Sequence, residues 1–360
     1  MAKNFRRIGV LTSGGDAPGM NAAVRAVTRA AIDKGVEVVG IYEGYKGLIH
    51  DNMKVFKDTD VSNIINIAGT ALYSDRCLEF KTEEGMQKAI ATCRENQIDG
   101  IVAIGGDGTF RGATDLSVRG IPTIGIPGTI DNDITSTDYS IGYDTAMNTV
   151  VECVDRLRDT CESHARLNVI EVMGRNAGYI ALNTGIACGA TAIVLKEIAF
   201  DEEAAIADII AAKKKGKRNF IVIVAEGAVP VDEKDYSEKL TKRIEAKTGI
   251  ECKFCRLAHV VRGGNPTLRD RVLASQMGAA AVDLLLEGKS NLVVCVRDDK
   301  LTSMEITHAL KLDRMYKGTL KEGDLDGYSA ETIAEMQAFC DKKLDAMKKL
   351  YETARAISVH

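Results

Sequence analysis

Ile101-Val102-Ala103-Ile104 is an unbroken apolar run that ends in Gly105-Gly106-Asp107-Gly108-Thr109. So short a run, rich in β-branched residues and closed by glycines, predicts a strand buried on both faces. The same unit recurs on either side. Apolar runs at 8–11, 36–41, 123–126, 169–172, 192–195, 220–225 and 292–296 alternate with helical stretches at 21–33, 82–96, 145–160, 202–214 and 269–287. Buried strands alternating with covering helices predict an α/β fold, doubly wound, with mainly parallel sheets.

The chain has 360 residues, which suits two domains or one two-lobed unit. Its 45% hydrophobic and 27% charged residues form an ordinary globular balance and exclude disorder as the main state. The net charge is −4 and there is no basic arm, so no nucleic acid and no anionic membrane is expected as a partner. No apolar stretch approaches the ~20 residues of a membrane span. The charged start, Met1-Ala2-Lys3-Asn4-Phe5-Arg6-Arg7, lacks the apolar core of a signal peptide, which predicts a cytoplasmic protein. Nine cysteines, odd in number and scattered from Cys77 to Cys340, fit reduced thiols in that compartment. Cys252-Lys253-Phe254-Cys255 with His259 offers three zinc ligands, but no second close pair supplies a fourth. A pair of thiols around a strand is the simpler reading.

The five prolines (Pro18, Pro122, Pro127, Pro230 and Pro266) mark no linker, and composition sets no domain boundary. Lys213-Lys214-Lys215-Gly216-Lys217-Arg218 is the densest positive run, either a solvated helix end or an anion site. Beyond Leu310, Ile333, Met336, Cys340, Leu344, Met347, Tyr351 and Ala354 fall three or four apart. That spacing predicts an amphipathic helix docked by one face.

Three glycine-bearing loops follow strands. Thr12-Ser13-Gly14-Gly15-Asp16 precedes a helix, where paired glycines admit a ligand to the backbone and free N–H groups favour an anion. It is neither a Walker loop nor G-x-G-x-x-G, and by itself it reads almost equally as a tight turn. In the second loop the Asp107 carboxylate stands between bare glycines. It suits Mg²⁺ held through water while N–H groups meet phosphate oxygens, and a plain strand-to-helix turn with an Asp cap weighs the same. G-G-D-G-[ST] also occurs in NAD kinases and diacylglycerol kinases, so it indicates a nucleotide kinase rather than which one. In the third, Pro127-Gly128-Thr129-Ile130-Asp131-Asn132-Asp133, two carboxylates two residues apart suit a general base and a supporting acid. Alone, Asp-Asn-Asp is more often a turn.

Three further stretches complete a pattern: Ser163-His164-Ala165-Arg166, Glu171-Val172-Met173-Gly174-Arg175-Asn176-Ala177-Gly178, and Val261-Arg262-Gly263-Gly264-Asn265-Pro266. With them, the chain resembles the ATP-dependent 6-phosphofructokinases of the bacterial type, in order from about residue 8 to about residue 310. The resemblance implies the fold of that family, two Rossmann-like lobes. It implies that Gly15, Tyr45, Arg76, Cys77, Gly106, Asp107, Gly108 and Thr109 surround ATP, with Asp107 on Mg²⁺. Asp131 is the implied base on the sugar 1-hydroxyl, with Thr129 and Asp133 in support. Arg175 is implied to neutralise charge gathering on the transferred phosphoryl group. Thr129, Ile130, Asp131, Arg166, Met173, Gly174, Arg175, Glu226, Lys253, His259 and Arg262 match the fructose 6-phosphate site. Arg166 and Lys253 match residues that reach it from a neighbouring subunit, which implies a homo-oligomer, in the family usually a homotetramer. The implied lobes are 1–142 plus 257–308 for ATP, and 143–256 plus 309–360 for the sugar phosphate and a C-terminal helical extension.

The phosphoryl donor is argued separately. Pyrophosphate-dependent relatives typically carry Asp at the position of Gly108 and Lys at that of Gly128. A carboxylate at Gly108 would crowd and repel the nucleotide α-phosphate, so two glycines favour ATP. Departures from the family are Lys253 for Arg, Val261 for Gln and Tyr73 for Gly. Lysine loses the bidentate fork, for which Arg256 is the possible substitute. At the family's effector site, which in bacterial relatives binds ADP as activator and phosphoenolpyruvate as inhibitor, Arg25, Arg29, Arg158, Lys215 and Lys217 are in place. Asp58 and Thr191 stand where Arg and Glu are common. Two other readings remain: a pyrophosphate-dependent enzyme, disfavoured by the two glycines, and a weakened regulatory subunit, which only Lys253 and Val261 support.

Overall fold

Residues 5–228 and 233–358 are described by the computed structural model of this chain. Residues 1–4 of the charged start and Pro230 lie outside them. Among the described residues the strands are β1 (Arg7–Ser13), β2 (Glu37–Ile41), β3 (Met53–Phe56), β4 (Gly100–Gly105), β5 (Thr123–Pro127), β6 (Leu167–Val172), β7 (Ala192–Val194), β8 (Phe220–Ala225), β9 (Cys252–Arg256), β10 (Leu292–Arg297) and β11 (Lys300–Glu305). Each of the eight expected apolar runs holds a strand. The three that apolarity did not announce, β3, β9 and β11, are all edge strands, half exposed and so not continuously hydrophobic.

The chain divides into two compact units. The first takes residues up to Ile130, Ile134–Thr145 and Arg262–Gln337; the second takes Asp131–Asp133, Ala146–Val261 and the chain from Ala338 on.

The first unit is built on a seven-stranded sheet in the order β11-β10-β5-β4-β1-β2-β3. Its five central strands are parallel and its two edges antiparallel. The chain winds outward from β1 to β2, then crosses to β4 on the other side of β1. Strand order therefore reverses between β1 and β4, and open α/β sheets bind ligands at the carboxyl ends beside such a reversal. Ser13 pairs with Gly105 in register, so the first two glycine loops leave the sheet side by side. Leu11, Ile41, Ile101, Phe110 and Leu116 fill the core beneath them.

The second unit carries a four-stranded parallel sheet, β7-β8-β6-β9. Here β6 stands at the reversal, flanked by β8 and β9. The loops leaving these three strands carry Met173 to Gly178, Glu226 and His259. Leu167, Val169, Phe220, Val222 and Leu240 form the core. The apolar stripe near the C-terminus lies on a 29-residue helix, Ala330–Ser358, and its members Met336, Cys340, Met347 and Ala354 are buried.

Two buried carboxylates tie the first unit together. Asp270, on the helix Leu268–Leu286, accepts the amides of Gly142 and Thr145 at 2.9 Å and the Thr145 hydroxyl at 2.5 Å. Asp313, 2% exposed on the helix Ile306–Tyr316, accepts the Thr135 amide at 2.5 Å. Burial pushes the Asp313 carboxyl up to about 7, and Asp107 adds repulsion; Lys317 and the Thr135 bonds pull the other way.

A raised carboxyl fixes the sign of a pH effect. The folded state prefers protonated Asp313, so its contribution is full below about pH 4 and is lost as pH rises through about 7. Asp313→Asn removes that titration and keeps an oxygen for Thr135. Its unfolding free energy from urea titration is expected to gain on that of the parent between pH 5 and pH 8, by roughly 1–4 kcal/mol. An equal difference at both pH values would refute the assignment.

Candidate active site

In the first unit, β4 runs through Gly106 directly into the helix Asp107–Val118. Asp107 opens that helix, and its Oδ2 accepts from Arg111 Nη2 at 2.7 Å. Thr109 is buried and donates its hydroxyl to Ser13 O at 2.9 Å, locking this loop to the one after β1. Tyr45 works from beneath. Its ring, 5% exposed, stacks on Phe80 at 4.2 Å, and its hydroxyl donates to Thr109 O at 2.5 Å. Tyr45 therefore holds the loop up from the core.

The glycines divide by what surrounds them. A Cβ on Gly105 would stand 2.3 Å from Thr109 Oγ1 and 2.4 Å from Ser13 O, so nothing larger fits. Gly108 is exposed, with no atom within 4 Å of an added Cβ. A Cβ on Gly128 would meet Met20 Cε at 3.1 Å, so the lysine typical of pyrophosphate-dependent relatives would have to push the end of Met20 aside. Arg262 Nη1 donates to Asp16 O at 3.0 Å and lies equally close to where a Gly15 Cβ would be. Its guanidinium runs along the paired glycines.

Arg76 is exposed and Cys77 half-buried against the core. Tyr73 has φ 58, the left-handed region that favours the glycine common in the family, and its ring is exposed. Its carbonyl accepts the Thr12 hydroxyl at 2.8 Å, and Ser74 Oγ donates to Gly14 O at 2.8 Å. The backbone of this segment is thus keyed to the first loop. Thr129 accepts the Ser140 hydroxyl on its carbonyl at 2.7 Å, and Ile130 is buried.

In the second unit Asp131 is 5% exposed, Asn132 is buried at φ 50 and Asp133 is half-buried. The loop after β6 is shaped by Gly174, at φ 150, where a Cβ would press on Ala177 O at 2.4 Å. Met173 is half-buried at the strand end, and Arg175, at φ 55, points its side chain to solvent. Glu226 Oε1 accepts the Gly174 amide at 3.2 Å and the Arg175 amide at 2.6 Å. Glu197 Oε1 accepts the Gly178 amide at 2.9 Å. Two carboxylates therefore clamp the two ends of the arginine loop.

Arg166 and Lys253 share one partner, Glu251, at 2.8 and 2.9 Å. Their hydrogen bonds pull the Glu251 carboxyl down to about 2. Arg256 is paired with Glu171 at 2.7 Å. Val261 is fully buried, so an apolar residue suits that position. His259 is exposed on the turn Ala258–Arg262. Cys252 and Cys255, an odd number apart on β9, face opposite sides of the sheet. The Cys252 thiol donates to Ile250 O, and burial pushes it up to about 12.

The basic residues expected at an effector site include like-charged pairs. Arg25 and Arg29, one turn apart on the helix Met20–Asp33, are half-buried, and burial and then Arg29 lower the Arg25 pKa. Arg158 donates to Asn219 Oδ1 at 2.9 Å and to the Cys188 carbonyl. Burial and then Arg158 lower the pKa of Lys217, while Lys215 is exposed at the end of the helix Glu202–Lys214. Half-buried cations held together favour an anion between them.

The phosphofructokinase family model matches residues 7–285. The chain belongs to the phosphofructokinase family. Among phosphofructokinases, it is 49% identical over 318 residues to the ATP-dependent 6-phosphofructokinase 1 of Clostridium perfringens, a match covering 88% of this chain and 98% of that one. It is 50% identical over 307 residues to the ATP-dependent 6-phosphofructokinase of Halalkalibacterium halodurans, covering 85% and 94%. The structure of phosphofructokinase from Saccharomyces cerevisiae superposes with a TM-score of 0.85 at 31% identity, covering 98% of this chain and 50% of that chain. The chain thus spans half the length of the yeast one. As in any member of the family, the residues to weigh first lie at strand ends. Glu197 is one that sequence reading missed; a lone acid just past the carboxyl end of a parallel strand was its only signal.

Proposed function

We propose that the chain transfers the γ-phosphoryl group of ATP to the 1-hydroxyl of fructose 6-phosphate, giving fructose 1,6-bisphosphate and ADP, the committed step of glycolysis. The likeness to ATP-dependent 6-phosphofructokinases over nearly their whole length carries this reading. Asp107, Asp131, Asp133 and Arg175 are all retained, which a weakened regulatory subunit has no reason to keep.

ATP is taken up by the first unit at the reversal between β1 and β4, among Gly15, Arg76, Cys77 and Gly106 to Thr109. One carboxylate at a helix start suits Mg²⁺, which binds few protein ligands and arrives with phosphate oxygens. Asp107 would hold it, releasing Arg111, and the ion would neutralise phosphate charge. The sugar phosphate belongs to the second unit's loops, with Met173, Gly174, Glu226 and His259, aided by Thr129, Ile130 and Arg262. Asp131 accepts the hydroxyl proton, with Thr129 and Asp133 in support. Arg175 meets the developing charge from a loop already clamped by Glu226 and Glu197, so little reorganisation opposes it. Arg166 and Lys253, aligned by Glu251, serve a neighbouring copy in a cytosolic homotetramer.

The test is a coupled assay for ADP release or phosphate transfer, run with ATP or pyrophosphate and with or without fructose 6-phosphate. Turnover requiring both ATP and the sugar phosphate is expected. Turnover with pyrophosphate alone as donor, or none with either, would overturn the reading.

Regulation is expected to be muted. Thr191 is a poorer ligand than Glu for a hard cation, and Asp58 repels phosphate where an Arg is common. The basic pairs still favour an anion, so ADP and phosphoenolpyruvate should shift the half-saturation for fructose 6-phosphate only weakly. A strong shift by both, abolished by Arg158→Ala, would show that the substitutions leave the site intact.

A further inference from the structure

A cleft in the second unit takes no part in that reaction. It measures 240 Å³ and lies between the helix Glu202–Lys214, the segment 191–201 and the last turns of the helix Ala330–Ser358. Its lining is largely apolar, from Ala192, Ile198, Phe200 and Ala204. Asp201, Asp208, Glu352 and Arg355 supply its charge.

Asp201 is spent on the protein, accepting the Ala204 amide at 3.0 Å as the helix cap, whereas the other three charges make no such bond. Glu202 and Glu203, on the same helix as Asp208, are paired with Arg243 and Lys247. Asp208, Glu352 and Arg355 form no ion pair or hydrogen bond among the described residues; Asp208 is half-buried, and Glu352 and Arg355 are exposed at the rim. Thr191 Oγ1, also on the cleft, is buried and has no hydrogen-bond partner. The wall is fixed in place: the Tyr351 hydroxyl donates to Ile193 O at 3.2 Å, tying the last helix to β7.

The volume lies below the roughly 300–1,000 Å³ that drug-sized ligands occupy, so the occupant is small. Unpaired charges of both signs over an apolar lining call for a zwitterion with an apolar body. We propose that this cleft binds a free apolar α-amino acid. Its ammonium meets Asp208 and Glu352, its carboxylate meets the Arg355 fork, and its side chain rests on Phe200. The Thr191 hydroxyl, both donor and acceptor, completes the polar contacts.

The experiment is calorimetric titration of the full chain with L-leucine, 3-methylbutylamine and 4-methylpentanoate. Saturable binding of leucine is expected, with each probe that lacks one charge weaker by about tenfold or more. Asp208→Asn and Arg355→Ala should each weaken leucine by a similar factor and leave turnover without leucine unchanged. Circular dichroism confirms that the variants fold, and Thr191→Val provides a third arm away from the charged groups. No saturable heat with leucine, equal binding of the truncated probes, or leucine binding unaffected by all three substitutions would each overturn the proposal. None of these outcomes depends on the kinase reading, which the coupled assay tests by itself.

Discussion

Asp131→Asn is expected to bind both substrates like the parent and to lose roughly 10²–10⁴-fold in turnover. The carboxylate is 5% exposed, and an amide of the same shape leaves no cavity behind. What changes is basicity. A hydroxyl attacking phosphorus must shed its proton, and a carboxamide cannot take it. The measurement is kcat beside the two KM values, with a thermal midpoint to exclude a folding defect. A variant within a few-fold of the parent would remove Asp131 from the role.

Gly108→Asp is expected to cut ATP kcat/KM by about 10²–10³-fold with little effect on stability. The structure supplies the second half of that statement: nothing lies within 4 Å of an added Cβ there. The first half is electrostatic. Two like charges about 4 Å apart cost ~4 kcal/mol at the effective dielectric of a protein surface. Pyrophosphate use should not appear in exchange, because Gly128 remains where pyrophosphate-dependent relatives typically carry Lys. Unchanged ATP turnover by the folded variant would show that the nucleotide does not pass this position.

Much of this was legible in the chain because parallel strands buried on both faces are written as continuous apolar runs. Ile101 to Ile104 could hardly be anything else, and the glycines that follow mark the strand end where ligands gather. Edge strands escaped for the opposite reason: β3 and β11 face water along one side and read as mixed polarity. The short helix Tyr179–Ala187 escaped because its apolar residues surround it almost evenly and give no period. Among the candidate functional groups, Asp107 and Asp131 announced themselves through their neighbours in sequence. Glu197 did not, since its partner amide at Gly178 is nineteen positions away and adjacent only after folding. Tyr45 was expected beside ATP from the family resemblance, and its buried posture was not legible: its ring is spent on Phe80 and its hydroxyl on Thr109.

The first unit is interrupted in the chain by most of the second, and this bears on how the molecule is made. Strands β1 to β5 leave the ribosome early, but β10 joins β5 only through Leu292–Ile124 and Val293–Gly125. The Asp270 clasp on Gly142 closes across 128 positions. At about 5–20 residues per second, β5 therefore waits roughly 8–30 s for its neighbour. Throughout that wait its amides and carbonyls are a free edge on an otherwise formed sheet, open to pairing with another nascent chain. Slowed synthesis across the second unit lengthens the exposure, so the yield of soluble protein should depend on translation speed between β5 and β10 more than on speed elsewhere.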